Sequence, residues 1–288
     1  MKTPRGLQVK VMGQFHAPWG RCMQHKYLFI DGAYLREVIA DFGKYWFETA
    51  NVPFQYAALA YGHTKVFYYD CLPVRRSSES QEDFEFRLAA QEKFFQDLRS
   101  LHGWHVLQGI LKRARKEKAT QKEIDVMIAV DMLTHTYRRN MSELTFIAGD
   151  QDFLPLVEAL VREGMFVTLF YERESGSREL INAADARKAL DVYVLHSMLS
   201  EEFKQSHPLP ALVTRPRYAL KAQTLICTSE VTDEAIVEIR SDHHPSETFS
   251  AMVVRPGHSN CQCYEFNDLE FLKKVCVDCL GCQVWTDA

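Results

Sequence analysis

YLFIDGAYL at 27–35 and LTFIAGDQDFLPLV at 144–157 decide how this chain is read. Each is an apolar, β-prone run that ends in aspartate: Asp31 in the first, Asp150 and Asp152 in the second. A run of Tyr, Leu, Phe and Ile without polar alternation reads as a strand buried on both faces, as in a parallel sheet. Side chains released at the end of such strands gather at the carboxyl edge of the sheet, where open α/β folds place their ligands. Acids converging there repel one another unless a cation joins them, and an oxygen-only donor set favours Mg²⁺ or Mn²⁺.

Working outward, strand-like and helix-like segments alternate from 26 to about 195. The first strand covers 27–30 and a helix follows over 33–43. KVFYYD (65–70) is a second strand. Residues 81–101 place Phe84, Leu88, Phe95 and Leu98 at helical spacing, and Gly103 closes that helix. WHVLQGIL (104–111) is extended, and KRARKEKATQK, basic and poor in apolar residues, is expected as a loop. IDVMIAVDMLTHTYRR (124–139) reads as a helix, followed by the strand LTFIAGD. A helix over 153–163 stops at Gly164, and MFVTLFYE (165–172) is a further strand. This alternation predicts an α/β fold, a mostly parallel sheet with helices on both faces. Residues 200–217 hold three prolines and many polar side chains and read as a linker. The remainder, 218–288, reads as a small C-terminal α+β unit with strands QTLICTS, AIVEIRS and FSAMVVR and a helix LEFLKKVCVDCL.

Asp125 joins the acidic set. It is expected at the start of the 124–139 helix, where the helix dipole favours a carboxylate. Lys122 lies three residues earlier and is a candidate phosphate contact. Asp131, about 120° further round the helix, is expected to point elsewhere. A lone Asp after a strand is most often a turn or cap residue, and GDQD alone fits an Asx-turn. Separate segments carrying acids to one sheet edge make a cation site of Asp31, Asp125, Asp150 and Asp152 the stronger reading, with Asp31 and Asp150 as central ligands. Such a site activates water and neutralises charge on a phosphate. No Ser or His nucleophile is required. Lys112, Arg113, Arg115, Lys116 and Lys118 form a basic run that either tracks a nucleic-acid backbone or is simply solvated.

The combination FIDGAYL, QKEIDVMIAVDML and IAGDQDFLPLVEALVREGMFVTLF resembles the NYN domain (LabA-like), within the PIN-like nuclease superfamily. The resemblance spans about 26–195 and implies a compact PIN-like α/β catalytic domain, placed at 26–199. It also implies a Mg²⁺- or Mn²⁺-dependent ribonuclease acting on RNA, leaving a 5′-phosphate and a 3′-hydroxyl. One position departs: many members carry Asn three residues after the first aspartate, where this chain has Tyr34. That departure keeps a second reading open, a nucleic-acid- or protein-binding module of the same fold with weak or no turnover. A nuclease directed at DNA is a third. An aspartyl phosphatase is disfavoured, because the position two residues after Asp31 is Ala33.

The 288 residues carry a net charge of −4, so nucleic acid must be met by a local basic patch rather than by the overall field. No apolar run reaches the ~18 residues that a membrane span needs. The segment 1–25 lacks a signal-peptide pattern and is expected as a loose tail, with Met23 as an alternative start; finding residues 1–22 in the mature chain by mass spectrometry excludes that start. The 8 cysteines without secretory context predict a reduced, cytoplasmic protein. Cys276, Cys279 and Cys282 have zinc-type spacing, and with Cys261 and Cys263 raise a structural Zn²⁺ site in the C-terminal unit. The competing reading is that these thiols are core residues on one helix face. The C-terminal unit is expected to bind substrate or a protein partner.

Overall fold

A computed structural model describes residues 25–109, 117–173, 175–220, 222–232, 235–242 and 248–288. Apart from His25, the segment 1–25 lies outside them, as do the basic residues 112–116.

In the first part, β1 (Lys26–Asp31), α1 (Gly32–Phe47), β2 (Lys65–Cys71), α2 (Gln81–Ser100), β3 (Trp104–Gly109), α3 (Glu117–Tyr137) and β4 (Glu143–Ile147) follow in order. They continue with α4 (Leu154–Arg162), β5 (Phe166–Tyr171), α5 (Arg178–Ala183), β6 (Ala186–Ala189) and α6 (Val192–Ser197). The six strands form one sheet in the order β3-β2-β1-β4-β5-β6, with every neighbouring pair parallel. That order reverses direction between β1 and β4, the crevice where open α/β sheets bind ligands.

The period-2 pleat assigns each strand residue to one of two layers. Leu28 and Ile30 of β1 and Val66 and Tyr68 of β2 meet Leu35, Phe42, Phe95 and Leu98 on the α1/α2 side. Tyr27 and Phe29 of β1 and Phe67 and Tyr69 of β2 meet Ile128, Met132, Val157 and Leu160 on the α3/α4 side. Burial on both faces is what the unbroken apolar runs predict.

Two expectations are corrected here. The helix expected from residue 124 begins at Glu117, so Asp125 sits about two turns inside α3 rather than at its start. The helix-dipole argument for Asp125 therefore lapses, since that effect fades within the first turn. The cause is propensity: Glu, Lys, Ala and Gln are good helix formers, and they extend a helix without showing any apolar period. The stretch 200–217, expected as a linker, holds α7 (Glu201–Ser206) and β7 (Ala211–Pro216) and runs into α8 (Arg217–Leu220). Its prolines flank or end β7, and β7 is an edge strand, where a missing N–H is tolerated.

The C-terminal part adds β8 (Thr224–Thr232), β9 (Ala235–Ser241), β10 (Phe249–Val254), β11 (Asn260–Phe266), α9 (Leu269–Leu280) and β12 (Thr286–Asp287). These strands and β7 form a second six-stranded sheet, antiparallel, in the order β12-β8-β9-β10-β11-β7. Sheet and helix are not separate from the first part. Val237, Ile239, Ala251, Leu272 and Val275 share one buried cluster with the α1/α2 layer. Helix α9 is tied across at several points: the Val192 N–H donates to Asp278 Oδ2 at 2.8 Å, Arg173 to the Cys279 carbonyl at 3.4 Å, and the Trp46 and Phe271 rings meet edge-on at 5.6 Å.

Candidate active site

Asp31 is the last residue of β1 and, at 7% exposure, is buried. Its carboxylate caps α1, accepting from the Tyr34 N–H at 3.2 Å. Burial pushes its pKa up to about 6; the Tyr34 N–H pulls the other way, and the nearby charges of Asp125 and Asp70 push it higher. Among the described residues no cation pairs with it. Pleat parity explains the neighbour it meets: 27, 29 and 31 share the α3 side of the sheet, and Asp125 projects from α3.

Asp150 follows β4, the neighbour of β1, and its Oδ1 accepts from the Asp152 N–H at 2.9 Å. This is the Asx-turn that GDQD suggests, and it starts the short helical turn leading into α4. Asp150 and Asp152 are both exposed. Two grooves meet at Asp31. One, of about 840 Å³, lies between α1 and α9 and also includes Asp150. The other, of about 510 Å³, lies beside α2 and α3 and also includes Asp125, Asp70 and Arg36. Asp31 therefore shares one groove with Asp150 and the other with Asp125, while Asp152 stays outside both linings. Asp131 points away from this centre and accepts from the Tyr69 hydroxyl at 2.9 Å. Lys118 and Lys122 belong to α3, but their side chains, like all of Lys116, lie outside the described residues.

The residue that sequence reading missed is Asp70, at the end of β2 and 3% exposed. Arg36 binds it at 2.9 Å, the Cys71 N–H donates to it at 2.7 Å, and Tyr68 and Gln91 each donate at 3.3 Å. Burial raises its pKa, with Arg36 and the Cys71 N–H opposing. KVFYYD ends in aspartate just as LFID does, so the rule that found Asp31 also finds Asp70. Tyr34, the departure noted above, packs its ring against Gly149, where a Cβ would overlap it. Its hydroxyl accepts from the Glu172 N–H at 2.8 Å, and burial raises its pKa. Tyr34 thus joins α1 to the ends of β4 and β5 as a packing residue.

Among the described residues, no three His, Cys, Asp or Glu side chains stand together as a ready metal-binding group. The donor chemistry at Asp31, Asp125 and Asp150 nonetheless suits a hard cation: carboxylates only, one of them raised first by burial and then by the charges of Asp125 and Asp70. The thiols do not combine into one centre. Cys261 and Cys263 lie side by side on β11, 3.8 Å apart, with Leu220, Met252 and Val254. Cys276 and Cys282 belong to the other cluster, with Leu272 and Val275. The core-residue reading accounts for both sets.

Residues 27–191, more than half of the chain, match the family model of the NYN domain. The chain belongs to the NYN domain family. That family places residues 27–191 in the PIN-like nuclease superfamily, and the match ends before α6, so the antiparallel sheet and α9 lie beyond it. No curated protein matches the chain. Among solved structures, a protein of unknown function from Vibrio parahaemolyticus aligns at 20% identity and a TM-score of 0.42, over 59% of this chain and 94% of that one. GenD2 from gentamicin A biosynthesis, solved in complex with NAD, aligns at 9% identity and a TM-score of 0.23, over 92% of this chain and 75% of that one. Neither alignment is close enough to say more of this NYN protein. Among its described residues no helix is long and apolar enough to cross a membrane.

Proposed function

We propose that this NYN protein is a metal-dependent endoribonuclease of the LabA-like kind, acting on single-stranded RNA in the cytoplasm. The supporting observation is Asp31: a buried carboxylate at the β1/β4 reversal, pushed up to about 6 by burial and by the nearby charges of Asp125 and Asp70. Keeping a like-charged set at a ligand crevice costs stability and is explained by a cation that joins it.

Asp31 and Asp150 would hold Mg²⁺ or Mn²⁺, with Asp125 and Asp152 completing the set directly or through water. The cation supplies an activated water and charge neutralisation at the scissile phosphate. The chain's own residues do the rest. The Tyr34 N–H fixes the Asp31 carboxylate, the Asp152 N–H fixes Asp150, and Arg36 neutralises Asp70 so that only one buried strand-end acid lacks a partner cation among the described residues. Water adds to phosphorus, the P–O3′ bond breaks, and the products are a 5′-phosphate and a 3′-hydroxyl.

The test is cleavage of labelled single-stranded RNA in Mg²⁺ or Mn²⁺ by the full chain, beside Asp31→Asn and Asp150→Ala, with single-stranded DNA as control. Metal-dependent cutting of RNA that both variants lose supports the reading. Cutting of DNA alone makes the protein a deoxyribonuclease. RNA binding without cutting, unaltered by metal, favours the binding module, a reading the Tyr34 packing supports by leaving no side-chain amide at that position.

A further inference from the structure

The groove beside α2 and α3 holds a guanidinium close to its acids. Arg36 stands one turn into α1, about 7–8 Å of helix rise beyond Asp31, and both line this groove with Asp70 and Asp125. Its partners come from three elements. Nε donates to the Gly32 carbonyl of α1 at 3.3 Å, Nη1 to Gln91 of α2 at 3.4 Å, and Nη2 to Asp70 of β2 at 2.9 Å. A guanidinium carries five N–H donors in one plane, so these acceptors fix its orientation without spending all of them. The pair with Asp70 is lopsided: the Asp70 side chain is 2% exposed and that of Arg36 40%. The carboxylate is also shared out inside the fold, with the Cys71 N–H on Oδ1 and Tyr68 and Gln91 donating to Oδ2. The positive end of the pair therefore fronts the groove. Arg87, which lines the same groove, is spent elsewhere: it holds Glu79 through Nε and Nη2, each at 2.8 Å, and the Val74 carbonyl at 2.9 Å.

We propose that Arg36 binds phosphate: an RNA backbone lies in this groove, and the guanidinium takes a non-bridging oxygen of the phosphate beside Asp31. The assignment rests on the ribonuclease reading for its substrate and adds a residue that meets the RNA directly. Carboxylates alone repel a phosphate, and Arg36 supplies positive charge that belongs to the chain itself. A planar fork matches the oxygens of a phosphate, and a fork already fixed by three acceptors has little side-chain freedom left to lose. Asp70 then positions Arg36 rather than competing for it, since neighbouring donors hold both of its oxygens.

Binding and cutting are measured separately on the full chain. Fluorescence anisotropy of a labelled single-stranded RNA in Ca²⁺, a hard cation that carboxylates also hold, reads binding, and a gel of the same samples reports cutting. The double variant Arg36→Gln, Asp70→Asn removes both charges together, so that neither is left buried and unpaired. It is expected to bind RNA roughly 10-fold more weakly than the native chain, the value of one charge-assisted hydrogen bond. Its slope of log K against log salt is expected to shrink by about 0.7, as for one phosphate contact on a single strand. Asp70→Asn alone keeps the guanidinium and removes its counter-charge, and is expected to bind RNA at least as tightly as the native chain. Thermal unfolding of each variant ensures that folded chains are compared. Native affinity and slope in the double variant, or Asp70→Asn falling as far as the double variant, overturns the proposal and leaves Arg36 a residue of the fold. The readings also fail separately. A chain that binds RNA through Arg36 but cuts none in Mg²⁺ or Mn²⁺ keeps the phosphate contact and loses the ribonuclease; one that cuts RNA as well in the double variant as in the native chain loses the phosphate contact alone.

Discussion

The ends of β1 and β2 make an instructive pair. They are adjacent parallel strands, each apolar, each closing on a buried aspartate at the same edge of the same sheet. Asp70 falls on the α1/α2 side, where Arg36 and Gln91 wait, and becomes the anchor of an ion pair. Asp31 falls on the α3 side, where Asp125 adds repulsion, and is left with backbone donors and a raised pKa. Pleat parity alone separates them: 66, 68 and 70 share one layer, 27, 29 and 31 the other. One strand end is a structural knot and the other a charged site, although the local sequences look alike.

The largest expected effect breaks that contrast at Asp31. Asp31→Asn keeps a good helix cap but removes the charge, and RNA cleavage should fall on the order of 10²-fold or more. The same change should stabilise the fold at neutral pH. A carboxyl raised from 3.8 to about 6 stabilises the folded state when protonated, and that contribution is lost as pH rises through about 6. Urea unfolding of the two proteins should therefore diverge with pH, the variant gaining on the order of 2–3 kcal/mol by pH 8 relative to pH 4. A gap that stays constant with pH contradicts the raised carboxyl. Millimolar Mn²⁺ should raise the Tm of the native chain and leave that of Asp31→Asn unmoved.

Asp70→Ala attacks the structural side. It strands Arg36 and the buried donors around it, and should cost about 2–4 kcal/mol, read as a lower urea midpoint. If cleavage by the refolded variant fell as far as in Asp31→Asn, the two strand ends would share a role and the contrast would collapse. Gly149→Ala pushes a methyl into the Tyr34 ring, with an expected loss of about 1–3 kcal/mol in thermal unfolding. Tyr34→Phe is the mildest change. It leaves the Glu172 N–H without its acceptor, about 1 kcal/mol, and with the ring retained should leave cleavage within about twofold.

Much of the first sheet was legible because each strand announces itself as a short apolar run between helices. The C-terminal strands AIVEIRS and FSAMVVR and the helix LEFLKKVCVDCL were readable for the same reason. Strands β6, β7 and β11 were not. ARKA and ALVTRP carry too few buried residues to show a period, and NCQCYEF owes its strand to pairing with β10 and β7. The start of α3 was hidden because charged helix formers look like a loop when only apolar content is weighed.

From sequence alone came the kind of fold, the family resemblance, and the placing of acids at strand ends, since these depend on local periodicity and on residues read one segment at a time. Tertiary structure decided which acid meets which charge. Whether Asp31 faces Asp125 or Asp70 faces Arg36 depends on the layer each helix occupies, and no local pattern encodes that. It likewise decided that α9, more than 200 residues from Asp31 along the chain, closes over the same cleft, because long-range packing of Trp46 on Phe271 and the bond from Val192 to Asp278 put it there.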